Sequence, residues 1–369
     1  MLPPKHLVYL LFIMLMNTHC GDRPSPACQE NDFTWNTLAP LPDSTGFAGS
    51  FAGVANGALL IAGGSNFPDG GAPWKGTPKK WYDKIFALDN KDGQWKEVGR
   101  LPVPLGYGVS ASTDNGLVIV GGSNEQGHVA NVWRLRYNNG TIETDTLPSL
   151  PFTLANTCGA LMDNKIYVAG GLVAPDSPAT SHAFLMLDLS LPDSGWQTLP
   201  AWPGPSRMLA VAGATNGRFY LFSGTELVNS QRQYLQDAYA YAPDSGWSTL
   251  ASLPRAAVAA PSPAYYSGAT WLIFGGDDGA MASKGSELKE KHPGFSDTIW
   301  QYNIANNEWQ AAGKIHTEKK EDAVTHPNNS TWAPVTTSMV EWNGQLVIPG
   351  GEVRPATRTP NVLAAQPCK

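Results

Sequence analysis

Charge is scarce in this chain of 369 residues: Asp, Glu, Lys and Arg make up 15% of it, and they leave a net charge of −6. That small acidic surplus supplies no basic field, which argues against nucleic acid as a partner. Long apolar runs are also missing. The longest, LVYLLFIMLM at 7–16, covers ten residues and follows Lys5. It is too short to span a bilayer and has the length of a secretion signal's apolar core. Residues 1–20 therefore read as a signal and 21–31 as a linker, with no transmembrane span. Cys20 ends MNTHC, where a lipoprotein signal would be cut and acylated, although His19 replaces the usual small residue there. Lipid anchoring at Cys20 and plain cleavage both remain open. Cysteine is rare, with four in all. Cys158 lies in the apolar NTCGALM and reads as a buried thiol. Cys28 and Cys368 lie near the two ends, either as a disulfide that tethers the termini or as two free surface thiols. The seven His are scattered without zinc spacing, and no Gly-x-Ser-x-Gly elbow or phosphate-binding Gly loop occurs. No cofactor and no metal site is expected.

What the chain has instead is Gly 38, Pro 30 and Trp 13, a composition that suits many short strands joined by tight turns. It also has a repeat. Six times a turn pair precedes an apolar run that ends in Gly-Gly or a close variant: ANGALLIAGG (55–64), DNGLVIVGG (114–122), DNKIYVAGG (163–171), TNGRFYLFSG (215–224), YSGATWLIFGG (266–276) and WNGQLVIPGG (342–351). Asn-Gly between apolar runs favours a two-residue hairpin, because a type I′ turn needs positive φ at both central positions. A third strand follows most of these units, such as DKIFALD (83–89). A Trp-bearing fourth comes after it, as in SGWQTLP (194–200) and NEWQAAG (307–313). Four strands per unit of roughly 50 residues is the pattern of a kelch-type propeller blade. The expected fold is all-β, a six-bladed propeller that forms one domain over 32–369. Its last unit has a hairpin at 335–351 and a third strand near 358–365, and it lacks a Trp-bearing strand of its own. DFTWNTLAPLP (32–42) should supply that strand and close the ring. Closure also brings Cys28 near Cys368.

Strands in such a blade are labelled a to d from the axis outward. Loops b–c and the d–a links between blades emerge on one face, and the long insertions 65–82, 277–295 and 314–332 all fall there. Loops held by a rigid scaffold are where binding residues concentrate. This face also gathers Tyr107, Asn156, Arg207 and Arg255 from the d–a links. Asn66 and Asn124 lie just after Gly-Gly pairs. The loop GGEVRPATRTP (350–360) adds Glu352, Arg354 and Arg358. A rim with several arginines suits a small anionic ligand, since guanidinium meets carboxylate in a planar fork. Arg354, Tyr107, Arg207, Arg255, Asn66 and Asn124 are candidate substrate contacts, although Arg207 and Arg255 also fit a role in tying blades together.

The chain resembles the N-acetylneuraminate (sialic acid) mutarotases, also called epimerases, in GGEVRPATRT, TWNTLAPLP, GFAGSFAGVANGALLIAGG and GYGVSASTDNGLVIVGG. The order of these segments looks circularly permuted relative to better-known members. The resemblance implies an exported, periplasmic isomerase that interconverts the α and β anomers of sialic acid. It matches Glu352 and Arg358 to that family's active-site pair and places Arg354 where members can carry Lys. The alternative is a non-catalytic kelch propeller that binds a glycan or a protein on the loop-rich face. In that case Glu352 and Arg358 form an ion pair that orders a loop.

Overall fold

The structure, a computed structural model, describes residues 33–367. The apolar run at 7–16, Cys20, and the Cys28–Cys368 pairing lie outside that span. Six antiparallel sheets of four strands each make a β-propeller. Blade one shows the order from the axis outward: Phe51–Ala55, Ala58–Ala62, Lys84–Leu88 and Lys96–Arg100. The sixth blade consists of Val340–Trp342, Gln345–Pro349 and Val362–Pro367, with Phe33–Leu38 as its outermost strand. The N-terminal strand pairs from Phe33↔Pro367 to Leu38↔Val362, so the two ends of the described chain close the ring together. The third strand of this blade starts later than its sequence suggested. Residues Glu352–Arg354 and Thr357–Arg358 instead fold on themselves as a small hairpin, and Pro360, which has no N–H to give a ladder, separates the two.

The b strands are apolar at nearly every position because each sheet is covered on both faces, which removes the usual two-residue alternation. In blade one, Leu60 and Ala62 pack with Leu117 and Ile119 of the second blade, whereas Leu59 and Ile61 pack with Val347 and Val362 of the sixth. Equivalent clusters lie between every neighbouring pair of blades. In four of the six blades a fourth-strand Trp ties the blade to the one before it. Trp95, Trp196, Trp247 and Trp309 donate their indole N–H to the carbonyls of Ala39, Pro148, Pro200 and Ala251, at 2.7–2.8 Å. A buried indole needs an acceptor, and the end of the preceding blade provides it. The Gly-Gly pairs are required by backbone: Gly63 and Gly64 have φ of 65° and 96°, and Gly350 and Gly351 have 61° and 104°.

At the axis the loop face is closed by a ring of backbone. Gly49, Tyr107, Asn156, Leu209, Ala259 and Thr336, one from each d–a link, all have left-handed φ between 54° and 68°. Each donates its N–H to the carbonyl of the preceding one at 2.7–2.8 Å, and Gly49 completes the circle by donating to Thr336. The residue before each of these pairs with the residue after a Gly-Gly, as in Ala48↔Ser65, Gly106↔Ser123 and Val335↔Glu352. The result is a floor of six peptide units with six side chains around it: Ser65, Ser123, Leu172, Thr225, Asp277 and Glu352.

Candidate active site

Glu352 and Arg358 face each other across the small hairpin of the sixth blade. Glu352 Oε1 accepts from the Ala356 N–H at 2.8 Å and lies 3.3 Å from Arg358 Nη1. The Arg358 side chain is only 4% exposed, while 21% of the Glu352 side chain remains accessible. The guanidinium is 5.0 Å from the Phe67 ring, and Nη2 donates to Tyr107 Oη at 3.3 Å. Its Nε has no hydrogen-bond partner among the described residues, and Nη1 has only the ion pair. Burial would lower the pKa of Arg358, but Glu352 and Tyr107 hold it above the ordinary value, so it stays a cation. A buried guanidinium with unspent donors suits an incoming carboxylate or a developing oxyanion.

Tyr107 connects this pair to the first blade. Its hydroxyl is 3.0 Å from Ser65 Oγ, its ring meets the edge of Trp81 at 5.5 Å, and Lys79 Nζ lies 4.2 Å from its centroid. Burial pushes the phenol up, Arg358 and Lys79 pull it down, and the balance falls below the ordinary tyrosine value. Tyr107 also borders an open cavity of about 490 Å³ together with Lys79, Trp81, Asn124, His128 and Asn156. On the other side of the first-blade insertion, Arg358, Arg354, Phe67 and Trp74 line a second cavity of about 310 Å³. Both volumes lie within the range of small-ligand sites.

The remaining candidates divide by how their polar groups are used. Asn124 stands on the 490 Å³ cavity, its Oδ1 accepting from the Gln126 N–H at 2.9 Å. Asn66 is buried and donates to Asp43 and the Gly46 carbonyl while accepting from Tyr82. Arg207 is fully buried in a bidentate pair with Asp237, at 2.7 and 3.0 Å, and also holds the Ser223 carbonyl. Arg354 donates to the carbonyls of Glu290, Ala323 and Val324, fastening two insertions to the hairpin. Arg255 is exposed on its link. Sequence reasoning overlooked Lys79, Trp81 and His292. The first two end the first insertion as KKWY, where a basic–aromatic cluster was the available signal. His292 is buried in the fifth-blade insertion and accepts from the Gly294 N–H. Burial lowers its pKa, against the pull of Asp277 and Glu352. Among the described residues, no three His, Cys, Asp or Glu side chains cluster closely enough to hold a metal ion.

The family model of the N-acetylneuraminate epimerases matches residues 24–144 and 147–290. The chain belongs to this family. The matched residues stop short of Glu352 and Arg358. An N-acetylneuraminate epimerase of Pasteurella multocida is 36% identical over 110 residues, 26% of this chain and 29% of that protein. One from Salmonella typhimurium is 37% identical over 116 residues, 27% of this chain and 30% of that protein. The chain thus aligns with under a third of the length of these epimerases. A solved structure of YjhT superposes with a TM-score of 0.64 at 16% identity, covering 89% of this chain and 97% of that one, which shows the shared propeller fold. No helix among the described residues is long and apolar enough to cross a membrane.

Proposed function

We propose that the protein is an isomerase that interconverts the α and β anomers of N-acetylneuraminate by opening and closing the sugar ring. The observation that carries this reading is the Glu352–Arg358 pair, 3.3 Å apart, at the axial mouth on the loop-rich face. Anomer exchange needs a proton taken from the anomeric hydroxyl and a proton delivered to the ring oxygen. A carboxylate is suited to the first task, and Glu352 keeps part of its side chain accessible for it. Arg358 has donors to spare for the substrate carboxylate or for negative charge on oxygen during ring opening. Family membership supports the choice of sugar. We further take residues 1–20 as an export signal, the protein as periplasmic with a lipid anchor at Cys20 as one form, and residues 32–369 as one propeller domain. Its Gly-Gly-Glu motif then stands in the blade that its own N-terminal strand completes, the order of a permuted member.

The test is Glu352→Gln, with exchange followed by NMR after dissolving the pure α anomer. A fall in kcat of about 10²-fold or more is expected from loss of a positioned acid/base. Exchange at the wild-type rate would remove Glu352 from the chemistry. Saturable binding of a neutral glycan, without exchange of sialic acid by the wild type, would favour the non-catalytic propeller.

A further inference from the structure

We propose that Tyr107 is a second catalytic residue of the anomer exchange, its phenol giving a proton to the ring oxygen while Glu352 takes the proton of the anomeric hydroxyl. This inference rests on the mutarotase reading above. Tyr107 Oη is the meeting point of two polar groups, Arg358 Nη2 at 3.3 Å and Ser65 Oγ at 3.0 Å. Through Arg358 it is one residue removed from Glu352, and it borders the 490 Å³ cavity that Lys79, Trp81 and Asn124 also line. The two proposed proton-handling groups therefore flank a single guanidinium, one on each of its terminal nitrogens.

The fold holds this phenol in place without needing it. The backbone ring sets the left-handed φ at all six link positions, and the other five carry Gly49, Asn156, Leu209, Ala259 and Thr336. None of those side chains is a proton donor of comparable acidity, so the ring itself does not call for a phenol. Gly49 gives the phenol its seat: a Cβ there would lie 2.7–2.8 Å from three atoms of the Tyr107 ring. Trp81 and Lys79 cover the ring from the first insertion.

Charge around the hydroxyl favours losing the proton. Arg358 and Lys79 face it as cations and Glu352 faces it as an anion; Glu125 and His128 line the same cavity from the second blade. Against the burial that raises it, these cations bring the phenol below its ordinary range. The step balances without a co-reactant. The anomeric O–H bond breaks and its proton passes to Glu352. The electron pair left behind forms the carbonyl as the bond from the anomeric carbon to the ring oxygen breaks, and that oxygen takes the Tyr107 proton. After the open chain rotates, the hydroxyl attacks the other carbonyl face and both protons return.

Tyr107→Phe keeps the ring contacts and removes the transferable proton. The expected result is a kcat lowered on the order of 10²-fold or more, a KM within a few-fold of wild type, and loss of the alkaline fall in kcat. In the wild type that fall follows deprotonation of the phenol and lies below the ordinary tyrosine pKa of about 10. Lys79→Met, at a half-buried position, should keep the fall but move it to higher pH. A Tyr107→Phe kcat within about threefold of wild type, or an alkaline fall unmoved in both variants, overturns the inference while the mutarotase reading stands. A wild type that does not accelerate exchange overturns both.

Discussion

A buried guanidinium serves a ligand only when some of its N–H groups are left over. Arg207, Arg354 and Arg358 are all nearly inaccessible, at 0%, 2% and 4% exposure, yet they differ in what they hold. Arg207 spends both terminal nitrogens on Asp237 and nearby carbonyls, with Trp202 and Tyr239 on its faces. Arg354 spends its nitrogens on insertion carbonyls. Arg207 and Arg358 both leave Nε unbonded, but Arg358 alone of the three also leaves a terminal nitrogen, Nη1, with only an ion pair to Glu352 and no hydrogen bond. Arg207→Ala should therefore cost about 3–5 kcal/mol, the usual result of leaving a buried charge unpaired, and should leave exchange per folded molecule unchanged. Urea denaturation beside the NMR assay checks both parts. A variant of wild-type stability with lost exchange would put Arg207 back at the ligand. The sequence brought these arginines to one face, but it could not rank them. Their partners, Asp237 and the Glu290 and Ala323 carbonyls, come from segments 30 to 64 residues away. Cys158 shows the opposite case: burial raises its thiol to about 12, as its apolar neighbours in the sequence already implied.

At the scale of elements, the strong signals were the ones that local backbone demands. Asn56–Gly57, Asn216–Gly217 and Asn343–Gly344 have positive φ at both positions, and the third-blade turn achieves the same with Asp163–Asn164. These turns and the apolar b strands were legible because each depends on its own residues. The small hairpins beyond the Gly-Gly pairs were not, since strands such as Ser65–Asn66 and Thr357–Arg358 are two residues long and carry no alternation. The insertions above them hold one another through Glu290, which accepts from Trp74 Nε1 at 2.8 Å and pairs with Lys75 at 3.2 Å. The Trp74 hydrogen bond, ahead of the Lys75 charge, pulls Glu290 down to about 2. A depressed carboxyl contributes its full stabilisation above its unfolded pKa of about 4.3 and loses it as pH falls through the folded value. The latch is thus fully formed at neutral pH and releases only between about pH 4 and 2. Glu290→Ala should open the 277–295 insertion to limited proteolysis at pH 7, where the wild type resists. Identical digestion patterns would show that the latch holds nothing.

At the scale of the molecule, the propeller is a cycle, and the proposed site lies where the cycle is joined. The backbone ring was invisible in the sequence because its six positions share a conformation and no side chain: Gly, Tyr, Asn, Leu, Ala and Thr all occupy it. The closure by the N-terminal strand was legible, because an incomplete last unit and a spare Trp strand can only fit together one way. That strand also bears on the chemistry. Phe33 and Trp35 pack on Phe274 of the fifth blade at 5.3 and 6.1 Å. Just beyond the strand, Leu41 donates to the Pro360 carbonyl and Phe47 accepts from the Gly351 N–H, bracketing the Glu352–Arg358 hairpin. Removing everything up to Leu38 would strip six paired residues from the sixth blade and expose the apolar face between blades five and six. Each Leu or Phe uncovered there costs about 1.5–3 kcal/mol, so the loss should exceed what one marginally stable domain tolerates without a lower melting midpoint. Hydrogen exchange should then quicken first in 340–367, and anomer exchange should fall before the other five blades lose protection. A truncated chain that melts at the wild-type midpoint, or loses protection evenly round the ring, would mean that the sixth blade is held by its three C-terminal strands alone.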